Sequence, residues 1–287
     1  MPSPSATRIP DTAAETLRPI AWRHWPEGLC WLGVVVGFGL RLVQLGTQSL
    51  WYDETVSAYL ASQSLPQLIR HTAGDIHPPG YYILLRLWSG LAGDSEYALA
   101  FFSVAFGTLI VALSCRLAGK WLGRASQPWT ALVAATSAFQ VWYSQEVRMY
   151  TLAAVLGLVS LYAAWAWVSR PVYRRVWLVP TLGYLLSAAV GLYVLYYYGF
   201  LLIVLNLLAV GYLLQRRHTT RLLAWLAIQL VVLLLYVPWL PIAWRQALHP
   251  PVPPWRGALS LLTIAQEAWT ALAFGQSVQF DQVWPLL

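Results

Sequence analysis

Along this chain, long apolar stretches alternate with short polar joints. A helix that crosses a bilayer needs about 20 predominantly apolar residues. Stretches of that kind cover, within a few residues at each end, 29–46, 97–115, 127–143, 149–168, 176–196, 200–215 and 222–243. Residues 81–92 are also apolar, but the stretch is short and carries Arg86, so it predicts a helix lying at the interface. A last helical stretch, 257–274, follows Pro250-Pro251-Val252-Pro253-Pro254 and contains Glu267; it reads as interfacial or as a shallow eighth span. The pattern predicts an all-α polytopic membrane protein with three parts. These are a loose tail over 1–28, a seven-span domain over 29–243 whose first outer loop covers 47–96, and an outer-side segment over 244–287.

The basic residues orient this arrangement. With the N-terminus inside, the inner segments carry Arg8, Arg18, Arg23, Arg116, Lys120, Arg124, Arg170, Arg174, Arg175, Arg216, Arg217 and Arg221. The outer segments carry only Arg70, Arg86, Arg148, Arg245 and Arg256, and Arg41 sits inside the first span. Making 81–92 a true span would invert everything after it, so the positive-inside rule favours seven spans with the N-terminus in the cytoplasm. The first apolar stretch is too long for a signal-peptide core and lacks a small-residue cleavage site, which makes it an uncleaved anchor. Gly33 and Gly37 form a small-residue pair on it, suited to close helix packing.

Composition agrees with the pattern. Hydrophobic residues make up 59% and charged residues 10%, against roughly 45–50% and about 25% in ordinary globular chains. Seventeen Trp and sixteen Tyr exclude a disordered chain. The net charge of +7 has no soluble face to occupy, so it marks membrane topology and not nucleic-acid binding. Cys30 and Cys115 are too few for a disulfide framework or a metal site, and both fall on the expected cytoplasmic side, where thiols stay reduced. There is no P-loop, and Val36-Gly37-Phe38-Gly39 follows no strand and so is no dinucleotide fingerprint.

Carboxylates are scarce, and their positions carry information. Asp11, Glu15 and Glu27 belong to the tail; Asp53, Glu54, Asp75, Asp94, Glu96, Glu146, Glu267 and Asp281 all map to the outer side. Three outer segments concentrate polar and aromatic side chains. Trp51-Tyr52-Asp53-Glu54 follows the first span; helix capping accounts for one acid better than for the pair. Asp75-Ile76-His77-Pro78-Pro79-Gly80-Tyr81-Tyr82 places Asp and His before a proline-started helix, where they suit a phosphate or a metal, or simply a solvated turn. Trp142-Tyr143-Ser144-Gln145-Glu146-Val147-Arg148-Met149-Tyr150 forms the turn between the third and fourth spans; an aromatic belt explains its Trp and Tyr but not its charges.

In order and spacing, these segments resemble the bacterial glycosyltransferase family 39 proteins of the GT-C superfamily, which also holds protein O-mannosyltransferases. The resemblance runs from about residue 40 to 243. It implies a GT-C type helix bundle with juxtamembrane helices in the first outer loop, set in the bacterial plasma membrane. It further implies transfer of a sugar, with inversion, from a polyprenyl-phosphate donor to a lipid, glycan or protein acceptor on the extracytoplasmic side. The family's catalytic acid corresponds to Asp53, with Glu54 the second of the pair. Trp51, Tyr52, Asp75, His77, Tyr81, Tyr143, Gln145, Glu146 and Arg148 are the substrate-binding candidates. Some relatives carry an Asp in the region matching Glu146 that helps hold a metal, so the resemblance admits a divalent cation and no other cofactor. Typical members continue into further spans and a soluble domain, and the chain is expected to correspond to their N-terminal transmembrane part.

The expected chemistry suits these side chains. A lipid phosphate is its own leaving group, so Asp53 is the candidate general base. Arg148 and His77 are candidates for the phosphate, and the spans supply a groove for the prenyl tail. Two other functions remain open at this stage. A transporter or flippase of lipid-linked sugar would place ionisable residues within its spans, which are nearly charge-free here. A noncatalytic partner subunit that binds lipid would fit the short chain.

Overall fold

The computed structural model describes residues 20–169, 177–251 and 259–276, and these contain thirteen α-helices and no strand. In a bilayer every backbone N–H and C=O must be paired internally, which for apolar runs of this length means helices. The chain opens with α1 (Ile20–Leu42), followed by three short helices, α2 (Tyr52–Ser62), α3 (Leu65–Gly74) and α4 (Gly80–Ala92). The bundle continues with α5 (Glu96–Trp121), α6 (Gln127–Thr136), α7 (Ala138–Gln145), α8 (Tyr150–Ser169), α9 (Leu178–Val194), α10 (Tyr198–Gln215) and α11 (Thr219–Tyr236). Two further short helices close the described chain, α12 (Leu240–Leu248) and α13 (Leu261–Phe274). The protein is thus an all-α polytopic membrane protein: α5, α8, α10 and α11 are each long and apolar enough to cross a bilayer, and α9 is a shorter apolar helix.

Passes alternate in direction. Helices α1, α6–α7, α9 and α11 run toward the end that carries α2–α4, and α5, α8 and α10 run away from it. Gly33 and Gly37 do what their spacing predicts: a Cβ at either would press on Ala131 or Ala135 of α6. Buried hydroxyl and amide groups join the later helices, with Ser160 hydrogen-bonded to Ser187 and Tyr198, and Asn206 to Gln229 and Trp225. The outer faces of α10 and α11 present Ile203, Leu207, Leu208, Leu230 and Leu234.

Charge divides between the two ends. Asp53, Glu54, Asp75, Asp94, Glu96, Glu146 and Glu267 gather at the α2–α4 end. At the opposite end Lys120 donates to Tyr162 Oη (2.8 Å), Arg221 caps α8 through the Trp167 and Val168 carbonyls, and Arg124 lies 3.9 Å from Glu27.

Several expected boundaries change. Residues 20–28, expected in a loose tail, already belong to α1. The stretch 127–143 is not one span: it breaks at Ser137, where ψ turns to 114°. The last span ends at Tyr236, because Pro238 interrupts it, and 240–248 forms the separate α12. Helix α4 has 13 residues, about 20 Å at 1.5 Å per residue, too short to cross. Helix α13 has 14 residues and packs on α7. Arg8, Arg18, Arg170, Arg174, Arg175, Arg256, Asp11, Glu15 and Asp281 lie outside the described residues.

The break at Ser137 depends on Arg41. Its guanidinium is fully buried and donates to the carbonyls of Ala134 (3.1 Å) and Ala135 (3.3 Å), which the break leaves without helical partners. It also donates to the Gly37 carbonyl (2.8 Å) and to Ser144 Oγ (3.0 Å). Only glycine fits at 107, since a Cβ there would stand 2.1 Å from Ser144 Oγ and 3.0 Å from Arg41 Nε.

Candidate active site

The first turn of α2 separates the two adjacent acids. Glu54, at its third position, accepts from the Trp51 N–H (3.2 Å) through Oε2 and from the Val147 N–H (2.7 Å) through Oε1. It thereby caps α2 and pins the α7–α8 turn to it, and only 7% of the residue is exposed. Burial raises its pKa, and the two backbone donors oppose that shift. With both oxygens occupied, Glu54 is a clamp; the expected catalytic role does not fit it. Asp53 faces the other way, with 37% of its side chain exposed.

Asp53 meets the other two segments. Arg148 Nη2 lies 3.4 Å from its carboxylate, and Nη1 donates to its backbone carbonyl (3.3 Å). Arg148 Nη2 also donates to His77 Nε2 (3.3 Å), and His77 Nδ1 lies 3.9 Å from Asp75. Burial, then the Arg148 charge, hold the His77 pKa below its ordinary value. A neutral His77 that accepts at Nε2 carries its proton on Nδ1, toward Asp75. Arg148 is almost wholly buried, so it holds Asp53 in place and does not lie open to a phosphate.

Local structure fixes this cluster from below. Pro78 and Pro79 start α4, and Gly80 lets it approach the end of α9: a Cβ would stand 2.6 Å from the Tyr193 carbonyl oxygen. Gln246 and Arg245 of α12 donate to the Thr72 and Ala73 carbonyls at the end of α3, just before Asp75.

Beside the cluster lies a cleft of about 1110 Å³. Trp51 and Glu54 of the first turn line one wall, Glu96 and Ala100 of α5 another, and α13 forms the third with Glu267, Ala268 and Ala271. Helix α7 supplies Phe139, Trp142 and Tyr143, followed by Glu146 and Tyr150. Tyr143 packs edge-on against Tyr150 (4.7 Å between centroids) and accepts from Gln276 (2.8 Å), which ties the end of α13 to α7. Trp142 Nε1 donates to Glu146 Oε1 (2.6 Å). Burial, with the nearby Glu54 and Asp53 charges, lifts Glu146 to about 7.

The remaining expected residues take other places. Gln145 donates to the Arg41 (3.2 Å) and Val43 (2.7 Å) carbonyls and so caps α1, although it also borders the cleft. Tyr81 is completely buried against Tyr82 and Phe102 and belongs to the core, not to a substrate surface. Tyr52 is 79% exposed. Glu96, Glu267 and α13 join the cleft without having been named as site residues, although both acids were placed on the outer side and a helical stretch was expected over 257–274. Among the described residues no three His, Cys, Asp or Glu side chains come together as a metal site, so the divalent cation has no donor set there. The chain has no significant match among protein-family profiles, curated proteins or solved structures.

Proposed function

We propose that this chain is a membrane glycosyltransferase that moves a sugar from a polyprenyl-phosphate donor to an acceptor hydroxyl on the extracytoplasmic face, with Asp53 as general base. The observation that carries this reading is the meeting of Asp53, His77, Asp75 and Arg148, drawn from three segments up to 95 residues apart, at one end of an apolar bundle. The acceptor oxygen attacks the anomeric carbon, the carbon–oxygen bond to the phosphate breaks, and its electron pair leaves with the polyprenyl phosphate. Asp53 takes the hydroxyl proton. Arg148, itself oriented by His77, holds Asp53 in position. An apolar recess of about 390 Å³ beside Ile76, walled by Tyr196, Leu240 and Trp244, gives a prenyl chain a place next to this cluster. A site of this kind belongs in a plasma membrane with the N-terminus inside, an orientation that the distribution of basic residues in the sequence supports.

The test is Asp53→Asn in nanodiscs supplied with polyprenyl-phosphate hexose and pentose. Transfer should fall by about 10²–10⁴-fold, the usual contribution of a general base, with membrane insertion unchanged. Undiminished transfer would overturn the assignment.

One observation favours the transporter reading: the helix broken at Ser137, since broken helices bind ions and substrates in many transporters. Here the carbonyls at the break are occupied by Arg41, a covalently attached cation, so they do not offer a site to a transported one. Substrate-dependent flipping in liposomes without transfer would restore the transporter.

A further inference from the structure

Helix α3 has ten residues, of which only Leu68 and Thr72 are buried. A helix this short does not hold its shape alone, so its last turn stands where its neighbours fix it. Helix α12 supplies the clasp. Gln246, only 6% exposed, donates through Nε2 to the Thr72 (2.9 Å) and Ala73 (3.2 Å) carbonyls, and Arg245 donates to that of Ala73 (2.8 Å). The orientation of the Gln246 amide is dictated from both sides. Carbonyls only accept, so Nε2 must face α3. The Trp239 indole only donates, to Tyr196 Oη (2.9 Å), which leaves the Tyr196 proton for Gln246 Oε1.

The carbonyl that Gln246 holds is also the one that leads into the acid cluster. Thr72 O accepts the backbone N–H of Asp75 (3.3 Å), the residue that ends α3. From Asp75 the contacts run to His77 (3.9 Å), from His77 to Arg148 (3.3 Å), and from Arg148 to the Asp53 carboxylate (3.4 Å). Beyond His77, Pro78, Pro79 and the close approach of Gly80 to Tyr193 fix the chain, so the segment 75–77 bridges two anchors and α12 supplies the first. We infer that Gln246 is a positioning residue: it sets the end of α3, through it the stance of His77 against Arg148, and so the direction of the Asp53 carboxylate. Its effect on transfer rests on the glycosyltransferase reading, whereas its hold on His77 rests on the geometry alone.

The test compares the parent with Gln246→Met, both as full chains in nanodiscs. Methionine keeps the length of the side chain and the apolar wall of the recess that Gln246 borders, but it cannot donate to α3. Histidines labelled in the ring are titrated by NMR, with His77→Gln assigning the signal. In the parent, burial and then the Arg148 charge, against the opposing Asp75 and Asp53 charges, hold the His77 pKa below its ordinary value. With α3 released both restraints weaken, so the pKa should rise toward about 6.5. A merely structural loss would lower the unfolding temperature without moving this signal in the folded protein. With polyprenyl-phosphate sugar supplied, kcat should fall by about 10–10²-fold, the scale of a misplacement near 1 Å, while the donor KM changes by no more than about twofold. Tyr196→Phe keeps the donors to α3 but leaves Oε1 without its partner, so it should move both readouts the same way and by less. It carries the test if the methionine variant does not fold. A His77 pKa unchanged in the folded variants would overturn the inference, as would a risen pKa with undiminished transfer. A risen pKa in the variants, with no transfer by the parent from any such donor, would remove the catalytic reading and leave the clasp. Transfer that Asp53→Asn abolishes, but that neither Gln246→Met nor Tyr196→Phe diminishes, would leave the catalytic reading and remove the positioning role.

Discussion

At the end of α6 the orphan carbonyls of Ala134 and Ala135 meet the Arg41 guanidinium; at the start of α2 the Trp51 N–H, together with that of Val147, meets the Glu54 carboxylate. Both regions are helix ends inside packed protein, and each places a full charge against backbone dipoles of opposite sign. Among the described residues neither Arg41 nor Glu54 forms an ion pair with an opposite side chain. Asp53, next to Glu54 in sequence, does face a counter-ion and stays partly open. The difference separates charges that complete the backbone from a charge left partly open beside a counter-ion. It also explains how a chain with so few charged residues tolerates a buried one in its first span.

Removing the cation at the break should have the largest effect on stability. Arg41→Met leaves two buried carbonyls without partners, and at about 1–3 kcal/mol for each unsatisfied group the loss should be about 3 kcal/mol. Reversible denaturation in bicelles measures it. Arg41→Lys should recover part of the loss, because an ammonium reaches one carbonyl but lacks the planar fork. A methionine variant as stable as the parent would show that the break holds itself.

Removing the anion at α2 should cost less. A glutamine at 54 keeps one carboxamide oxygen as acceptor, so Glu54→Gln can satisfy either the Val147 or the Trp51 N–H but not both in the same manner. The expected loss is about 2 kcal/mol, again the desolvation of one buried donor. Asp53→Asn should lose less stability than Glu54→Gln while losing far more transfer. Equal stability losses in the two variants would erase the distinction between clamp and base.

This comparison also marks what the sequence could reveal. The apolar stretches predicted the passes because burial in lipid leaves the backbone no alternative to a helix. Gly33 and Gly37 predicted a close contact, and Pro78-Pro79-Gly80 predicted the start of α4. The break at Ser137 was only faintly legible: Thr136-Ser137 is a polar pair in a mostly apolar stretch and Ser137 is a capping residue, but no glycine or proline stands beside it. A second trace lay in Arg41, a buried charge that needs acceptors inside the bundle and finds two of them in the carbonyls freed at the break. Glu54 was half legible: an acid three residues after a helix cap is a capping pattern, but nothing local foretold its second partner, 93 residues away. The cleft was not legible at all, because it depends on where α13 packs.

Glu146 gives the smallest expected effect and the finest test of the same distinction. Its carboxyl lines the cleft and accepts from the Trp142 indole; burial first, then the Glu54 and Asp53 charges, raise its pKa from 4.5 to about 7. The Trp142 N–H and the Arg148 charge oppose that shift without cancelling it. The folded protein therefore holds this proton more tightly than the unfolded chain does. Between pH 4.5 and about 7 unfolding releases the proton, so the Glu146 contribution to stability is fully present at the acid end and declines as pH rises. Glu146→Gln has no such proton to lose. Thermal unfolding from pH 4.5 to 8 should show the parent falling relative to this variant up to about pH 7 and running parallel to it above. Because His77 and the other titrating groups are common to both proteins, they drop out of the difference. Parallel curves over the whole window would mean that the folded protein holds the Glu146 proton no more tightly than the unfolded chain does.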